Sequence, residues 1–204
     1  SEKKIKLNCK VCQLVKLFKN GEPFKMSKRA GDFISVQDLL SEVDKDPIRF
    51  MMLNRSNDVE LDFDFDKVKE KTKDNPVFYV QYAYARINSL LKMSNTSLVK
   101  KIQFDEINFT LNEMDEKIIR KVFEWPKIIE SVSRKFDLHK IPFYLYELST
   151  LFHAYWSRGN EDKRYKFIEN EQIKRKETLA IINLVAIVIK NGMSILDVSL
   201  PKKM

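Results

Sequence analysis

The chain has 204 residues, of which 44% are hydrophobic and 32% charged, and a formal net charge of +8. That hydrophobic share supports a core and excludes a disordered chain, while 4 glycines and 6 prolines are too few for a many-turned β fold. Residues 1–30 hold eight lysines and one arginine against Glu2 and Glu22, so nearly all the excess charge sits there; it suits a phosphate-bearing partner, and equally a solvated lysine-rich surface.

Residues 5–24 read as a short β-hairpin. Val11, Leu14, Val15, Leu17 and Phe18 are strand-compatible, and Asn20-Gly21 is a two-residue turn whose positions both tolerate positive φ. Cys9 and Cys12 form a Cys-x-x-Cys, but a structural zinc takes about four ligands, and the only histidines, His139 and His153, are far away in sequence. Incidental reduced cysteines are the better reading, and no metal site is expected.

After the basic run Lys25 to Gly31 come helices. Ser35 with Asp38 resembles a capping box before Leu39, Leu40 and Val43. Asp46-Pro47 reads as an N-cap with proline at the first helical position, opening the run from Ile48 to Leu53. Leu61 to Asp66 alternates and then starts another helix, capped by Asp64. Residues 76–93 form a long helix with the apolar stripe Val77, Val80, Tyr84, Ile87 and Leu91.

Residues 94–109 are a polar connection. Thr110 and Glu113 suggest a capping box before a helix to about residue 135, bent at Pro126. A helix over 141–157 is stopped by Gly159-Asn160, and a last one over about 171–190 by Lys190-Asn191-Gly192. All four glycines are thus placed at breaks. The run Leu179 to Ile189 is apolar on nearly all sides, which places it inside a bundle. It is interrupted by Asn183 and too short to cross a bilayer, and no signal peptide is visible, so a cytoplasmic protein without membrane contact is expected. The expected fold is mainly α, a helical bundle preceded by a short β-hairpin.

Three places could carry chemistry. Lys25-Met26-Ser27-Lys28-Arg29 puts three cations and a hydroxyl within five residues, which suits polyphosphate; Arg can grip two oxygens where Lys is a point charge. Tyr79, Tyr82 and Arg86 form a stripe opposite the apolar face of their helix. Such a stripe can stack unpaired bases, or it can fill a helix joint. On the helix at 141–157, Tyr144, Leu148, Leu151 and Tyr155 centre the apolar arc, with Phe152, His153 and Trp156 at its edge. An edge aromatic can be half-exposed and stack a base, or belong to a broad buried face. Asp62, Asp64 and Asp66 lack the glycine and terminal glutamate of a calcium loop, and Trp125-Pro126 reads as a packed bend.

The basic run resembles the KMSKS motif of class I aminoacyl-tRNA synthetases. The longer string from Glu22 to Phe33 looks like the arginyl branch, as do Asp46 to Phe50, Leu61 to Phe65, Asn75 to Arg86, Leu151 to Trp156 and Val198 to Met204, in the order that family shows. The loop ends in Arg29 where the general pattern has serine, a form arginyl enzymes often show.

The resemblance covers essentially the whole chain. It implies the end of a catalytic domain at 1–34, stem-contact helices at 35–72 and an α-helical anticodon-binding domain at 73–204. It further implies arginine–tRNA ligase activity in an intact enzyme, joining arginine to tRNA-Arg with ATP and Mg2+. Lys25, Ser27 and Lys28 would then be catalytic, with Lys25, Met26, Lys28 and Arg29 on the ATP phosphates. Tyr79, Tyr82, Arg86, Phe152, His153, Trp156 and Met204 would bind tRNA-Arg. A monomer without a tightly bound cofactor is expected. The HIGH-type half and the arginine pocket are not among these residues, so the chain alone is expected not to aminoacylate. A stand-alone helical RNA-binding module is the alternative, and a protein-binding helical scaffold, which would show no salt-dependent RNA affinity, is a third.

Overall fold

A computed structural model describes residues 7–24, 34–93, 110–169 and 172–204. The basic run and the connection at 94–109 lie outside the described residues.

The first unit is a small sheet with two helices on it. Strand β1 (Val15–Lys19) turns through Asn20-Gly21, both at positive φ, into β2 (Glu22–Pro23). The hairpin is shorter than expected: Val11 and Leu14 lie outside it and are exposed. Helices α1 (Val36–Glu42) and α2 (Lys45–Leu53) then carry the chain to β3 (Leu61–Asp64), which pairs parallel with β1, Val15 opposite Leu61 and Leu17 opposite Phe63. The alternation at 61–64 is therefore a true strand. Leu61 and Phe63 face inward and join Phe65, Val68, Leu39 and Val43 in a small core.

The helix expected after Asp64 is a single 3-10 turn, Lys67–Lys69. Asp64 does accept from the backbone of Asp66 and Lys67, at 2.9 and 3.3 Å. Ser35 and Asp38 form the expected capping box, whereas α2 begins two residues earlier than expected, with Asp44 at its N-cap.

The second unit is a helical bundle. Helix α3 (Pro76–Met93) has the expected bounds and buries Val77, Val80, Ala83, Ile87 and Leu90. Helices α4 (Glu113–Phe123) and α5 (Trp125–Lys135) break at Glu124, with Pro126 in the first turn of α5, where its missing N–H costs nothing. The α4 capping box is Asn112 with Asp115, two residues beyond the expected pair.

Helix α6 (Lys140–Glu161) and helix α7 (Lys176–Ile195) pack with α3 and α4 around Ile118, Leu145, Leu148, Ile182, Val185 and Ile189. Between them lie an unexpected 3-10 turn (Lys163–Tyr165) and a hairpin of β4 (Ile168–Glu169) with β5 (Gln172–Ile173). Helix α7 starts and ends about five residues later than expected, and over Glu177–Ile195 it is long and apolar enough to cross a membrane by composition, with 56% of that stretch buried in the bundle.

Two glycines are not breaks. Gly192 lies inside α7, where an added Cβ would meet Leu145 methyls at 2.8 Å, so its role is close helix approach. The stop falls later, at Asp197 (φ 54). There Asp197 and Val198 donate to the carbonyls of Ser194 and Met193, the paired bonds of a Schellman ending.

Gly159 lies inside α6, where a Cβ would stand 3.0 Å from the Tyr165 carbonyl oxygen and 3.2 Å from the Lys166 Cα. Backbone cannot swing aside as a side chain can. Gly159→Ala should therefore lose about 1–3 kcal/mol of unfolding free energy, beyond the helix-propensity gain of about 1 kcal/mol. Urea denaturation checks this, and an unchanged midpoint refutes it.

Candidate nucleic-acid interface

Helices α3 and α6 lie side by side, and their facing aromatics make one continuous array. The spacing Phe78, Tyr82, Arg86 puts one side chain per turn on the same edge of α3. The Phe78 and Tyr82 rings are stacked at 5.8 Å, and the Arg86 guanidinium lies over the Tyr82 ring at 4.5 Å while donating to the Tyr82 hydroxyl. From α6, Trp156 brings its ring to 4.9 Å from the same guanidinium. Arg86 is thus held by two aromatic rings.

The segment after α7 closes this array. Gln81 on α3 donates to the Ser199 carbonyl at 3.0 Å, which carries the chain across α3. Lys203 and Met204 then complete a groove of about 430 Å3 with Tyr82, Arg86, Met93 and Trp156. Met204 is 54% exposed, so the groove has a thioether rim and the Lys203 ammonium beside a cation stacked on aromatics. Flat π surface with positive charge beside it is what an unpaired nucleotide needs: a face to stack on and a counter-charge for phosphate.

The expected nucleic-acid residues do not all reach this groove. Tyr82, Arg86, Trp156 and Met204 line it. Tyr79 fills the joint between helices, 5.3 Å from Tyr146 and 4.3 Å from His153, and burial raises its pKa. Phe152 is fully buried, its ring 6.3 Å from that of Phe167, and does not line the groove. The turn at 163–168 causes this, by folding Tyr165 and Phe167 over the α6 edge that would otherwise be open. Lys25, Met26, Ser27, Lys28 and Arg29 lie outside the described residues.

His153 is also inside, at 8% exposure. Its Nε2 lies 3.3 Å from the Tyr79 carbonyl, which accepts from the Nε2–H tautomer, and its ring is near-parallel to Tyr82 at 5.4 Å. It props Tyr82 from behind. Burial, and secondarily Arg86, push its pKa below the ordinary histidine value, against the Tyr79 carbonyl. A lowered folded-state pKa means that the unfolded chain binds the proton more readily. Its contribution to stability is then fully present above about pH 6.5 and is lost as pH falls below that value. The urea midpoint should drop between about pH 7 and about pH 5, and less steeply in His153→Gln; parallel pH profiles for the two proteins would count against this.

Phe78, Gln81 and Lys203 escaped the sequence reading. Phe78 was findable, one turn before Tyr82; Gln81 and Lys203 act through the returning chain, which no local pattern announces. Cys9 and Cys12 are exposed free thiols, and no cluster of three metal-ligating side chains exists among the described residues.

Residues 80–204 match the DALR anticodon binding domain family. A curated arginine–tRNA ligase of Pelagibacter ubique is 52% identical over 201 residues, covering 98% of this chain and 35% of the relative. One from Ruegeria pomeroyi is 43% identical over 209 residues, 100% of this chain and 36% of the relative. The chain thus spans about a third of the length of these relatives. Among solved structures, an arginyl-tRNA synthetase from Campylobacter jejuni superposes with a TM-score of 0.78 at 30% identity, covering 95% of this chain and 40% of that one. The arginyl-tRNA synthetase of Plasmodium falciparum shares the fold, with a TM-score of 0.63 at 22% identity over 83% of this chain and 30% of that one.

Proposed function

The chain belongs to the DALR anticodon binding domain family, and from that premise we propose that it is the tRNA-Arg-binding part of an arginine–tRNA ligase. The observation that carries this reading is the Tyr82, Arg86 and Trp156 array, with Lys203 and Met204 at its rim. An unpaired anticodon-loop base enters the groove and stacks there, while Arg86 and Lys203 face its phosphates. Tyr79, His153 and Phe152 act behind that surface, as packing that fixes α3 against α6.

The division follows the same reading: the end of a catalytic domain at 1–34, stem-contact helices at 35–72 and the anticodon-binding bundle at 73–204. Aminoacylation belongs to the longer enzyme, where Lys25, Ser27 and Lys28 serve catalysis and Lys25, Met26, Lys28 and Arg29 hold the phosphates of ATP with its Mg2+. That enzyme works as a monomer in the cytoplasm.

Arginine tRNA should bind more tightly than a non-cognate tRNA at two salt concentrations. Both affinities should fall as salt rises, because phosphate contacts release counterions. Equal affinities for the two tRNAs favour a general RNA-binding module. Salt-insensitive or absent binding removes RNA as the partner.

A further inference from the structure

The segment that follows α7 is held from outside the bundle, by α2. Lys45 and Asp46 each lie about one turn before Arg49, so the three share one side of that helix. Arg49 donates from Nε to the Leu196 carbonyl at 2.9 Å, at the end of α7, where helix carbonyls lack partners of their own. The helix dipole favours a cation at that end as well. Asp197, whose positive φ turns the chain, pairs with Lys45 at 2.8 Å and lies 3.8 Å from Arg49.

Two residues on, Ser199 is gripped from both sides. Its hydroxyl donates to the Asp46 carboxylate, and its carbonyl accepts from Gln81 of α3 at 3.0 Å. Leu196 and Val198 are buried and Leu200 packs on the bundle core, which fixes the path as far as residue 200. Lys203 and Met204 then reach the groove with Arg86 and Trp156. Met204 is a partition there, because it also edges a hollow of about 440 Å3 with Leu40, Val43, Pro47 and Gln81. The Lys203 and Met204 side chains make no hydrogen bond or ion pair among the described residues, so their place depends on how the segment before them is held.

We propose that Asp46 and Arg49 are positioning residues for the RNA groove: acting through Leu196, Asp197 and Ser199, they lay the segment across α3 and so set Lys203 and Met204 at the rim. The proposal rests on the RNA-binding reading and places a determinant of RNA affinity on the small sheet-and-helix unit, away from any base. The side chains of Arg49 and Asp197 are 43% and 66% exposed, and ion pairs that open to water add little to folding. What these contacts govern is the direction of a short segment. Control of the rim from α2 also runs both ways. A ligand that packs on Lys203 and Met204 strengthens the α2 contacts by the same free energy with which those contacts favour the ligand.

The test uses the full chain, labelled on its methionine methyl groups for NMR, and an RNA stem-loop carrying the anticodon stem and loop of arginine tRNA. The Met204 methyl signal, assigned by its loss in Met204→Leu, should be displaced from the free-methionine position by the rings lining the groove. In Arg49→Ala and in Ser199→Ala it should move back toward that position, with the urea midpoint nearly unchanged. Each variant should weaken stem-loop binding about threefold or more, as the loss of one hydrogen bond implies, and by no more than deletion of residues 199–204 does. In the chain lacking residues 199–204, Arg49→Ala should leave Kd where the deletion put it. If the Met204 signal stays in place in both variants, or moves while Kd does not, the proposal is refuted and the groove stands. The same holds if Arg49→Ala weakens binding as much without residues 199–204 as with them. If the unsubstituted protein ignores the stem-loop altogether, the RNA-binding reading falls and takes the proposal with it. Ser199 is exposed, so its replacement decides the matter even where Arg49→Ala fails to fold.

Discussion

Asp115→Ala should cost about 3–5 kcal/mol of unfolding free energy, the range for stripping one partner from a buried ion pair. Asp115 is fully buried at the N-terminus of α4. Its carboxylate takes a 2.7 Å bond from the Tyr155 hydroxyl of α6 and a 2.8 Å ion pair from Arg175 beside α7. It also accepts the Asn112 backbone N–H at 3.0 Å, closing the α4 capping box. Three segments of the bundle therefore meet on one carboxylate. Alanine would leave the Arg175 charge, the Tyr155 hydroxyl and a helix-end N–H without that acceptor, besides removing a negative charge from the positive end of α4. Urea denaturation reads the loss, and a change under about 1 kcal/mol would mean that water replaces the carboxylate without penalty. Asp115→Leu with Arg175→Met, which removes both charges together, should recover much of the loss, because the cost lies in the orphaned partner more than in the missing attraction.

That junction was only half legible in the sequence. A capping box before α4 was readable, but the pattern Thr110-x-x-Glu113 drew attention from Asn112-x-x-Asp115, which has the same spacing with shorter side chains. Which pair closes depends on where α4 is held, and Arg175, sixty residues on, decides that by pairing with Asp115. The bounds of α3 were legible because its caps and its 3.6-residue stripe agree locally. Gly192 and Gly159 misled for the opposite reason. Glycine is equally suited to ending a helix and to letting another element approach it, and only the position of Leu145 or Tyr165 tells the two apart. Likewise Phe152 and Trp156 share an edge of α6, and the sequence treats them alike. The turn at 163–168 buries one and leaves the other as a wall, and its six residues are too few to carry a periodic signal.

Trp156→Ala should weaken binding of the arginine tRNA stem-loop by about tenfold, since a stacked base contributes about 1–3 kcal/mol. It should also unhinge Arg86, whose guanidinium keeps only the Tyr82 ring, at 4.5 Å, once the indole at 4.9 Å is gone. Affinity must be referred to folded protein, because Trp156 also packs on Phe167 and its loss destabilises the bundle somewhat. The decisive readout is coupling. Residues that act through one contact are not additive, so in a Trp156→Ala background Arg86→Ala should lose much of its effect. Full additivity of Trp156→Ala with Arg86→Ala would mean that the two side chains act on the RNA independently. Trp156→Phe gives the converse check: a smaller flat ring at the same place should retain a measurable part of the affinity that alanine loses.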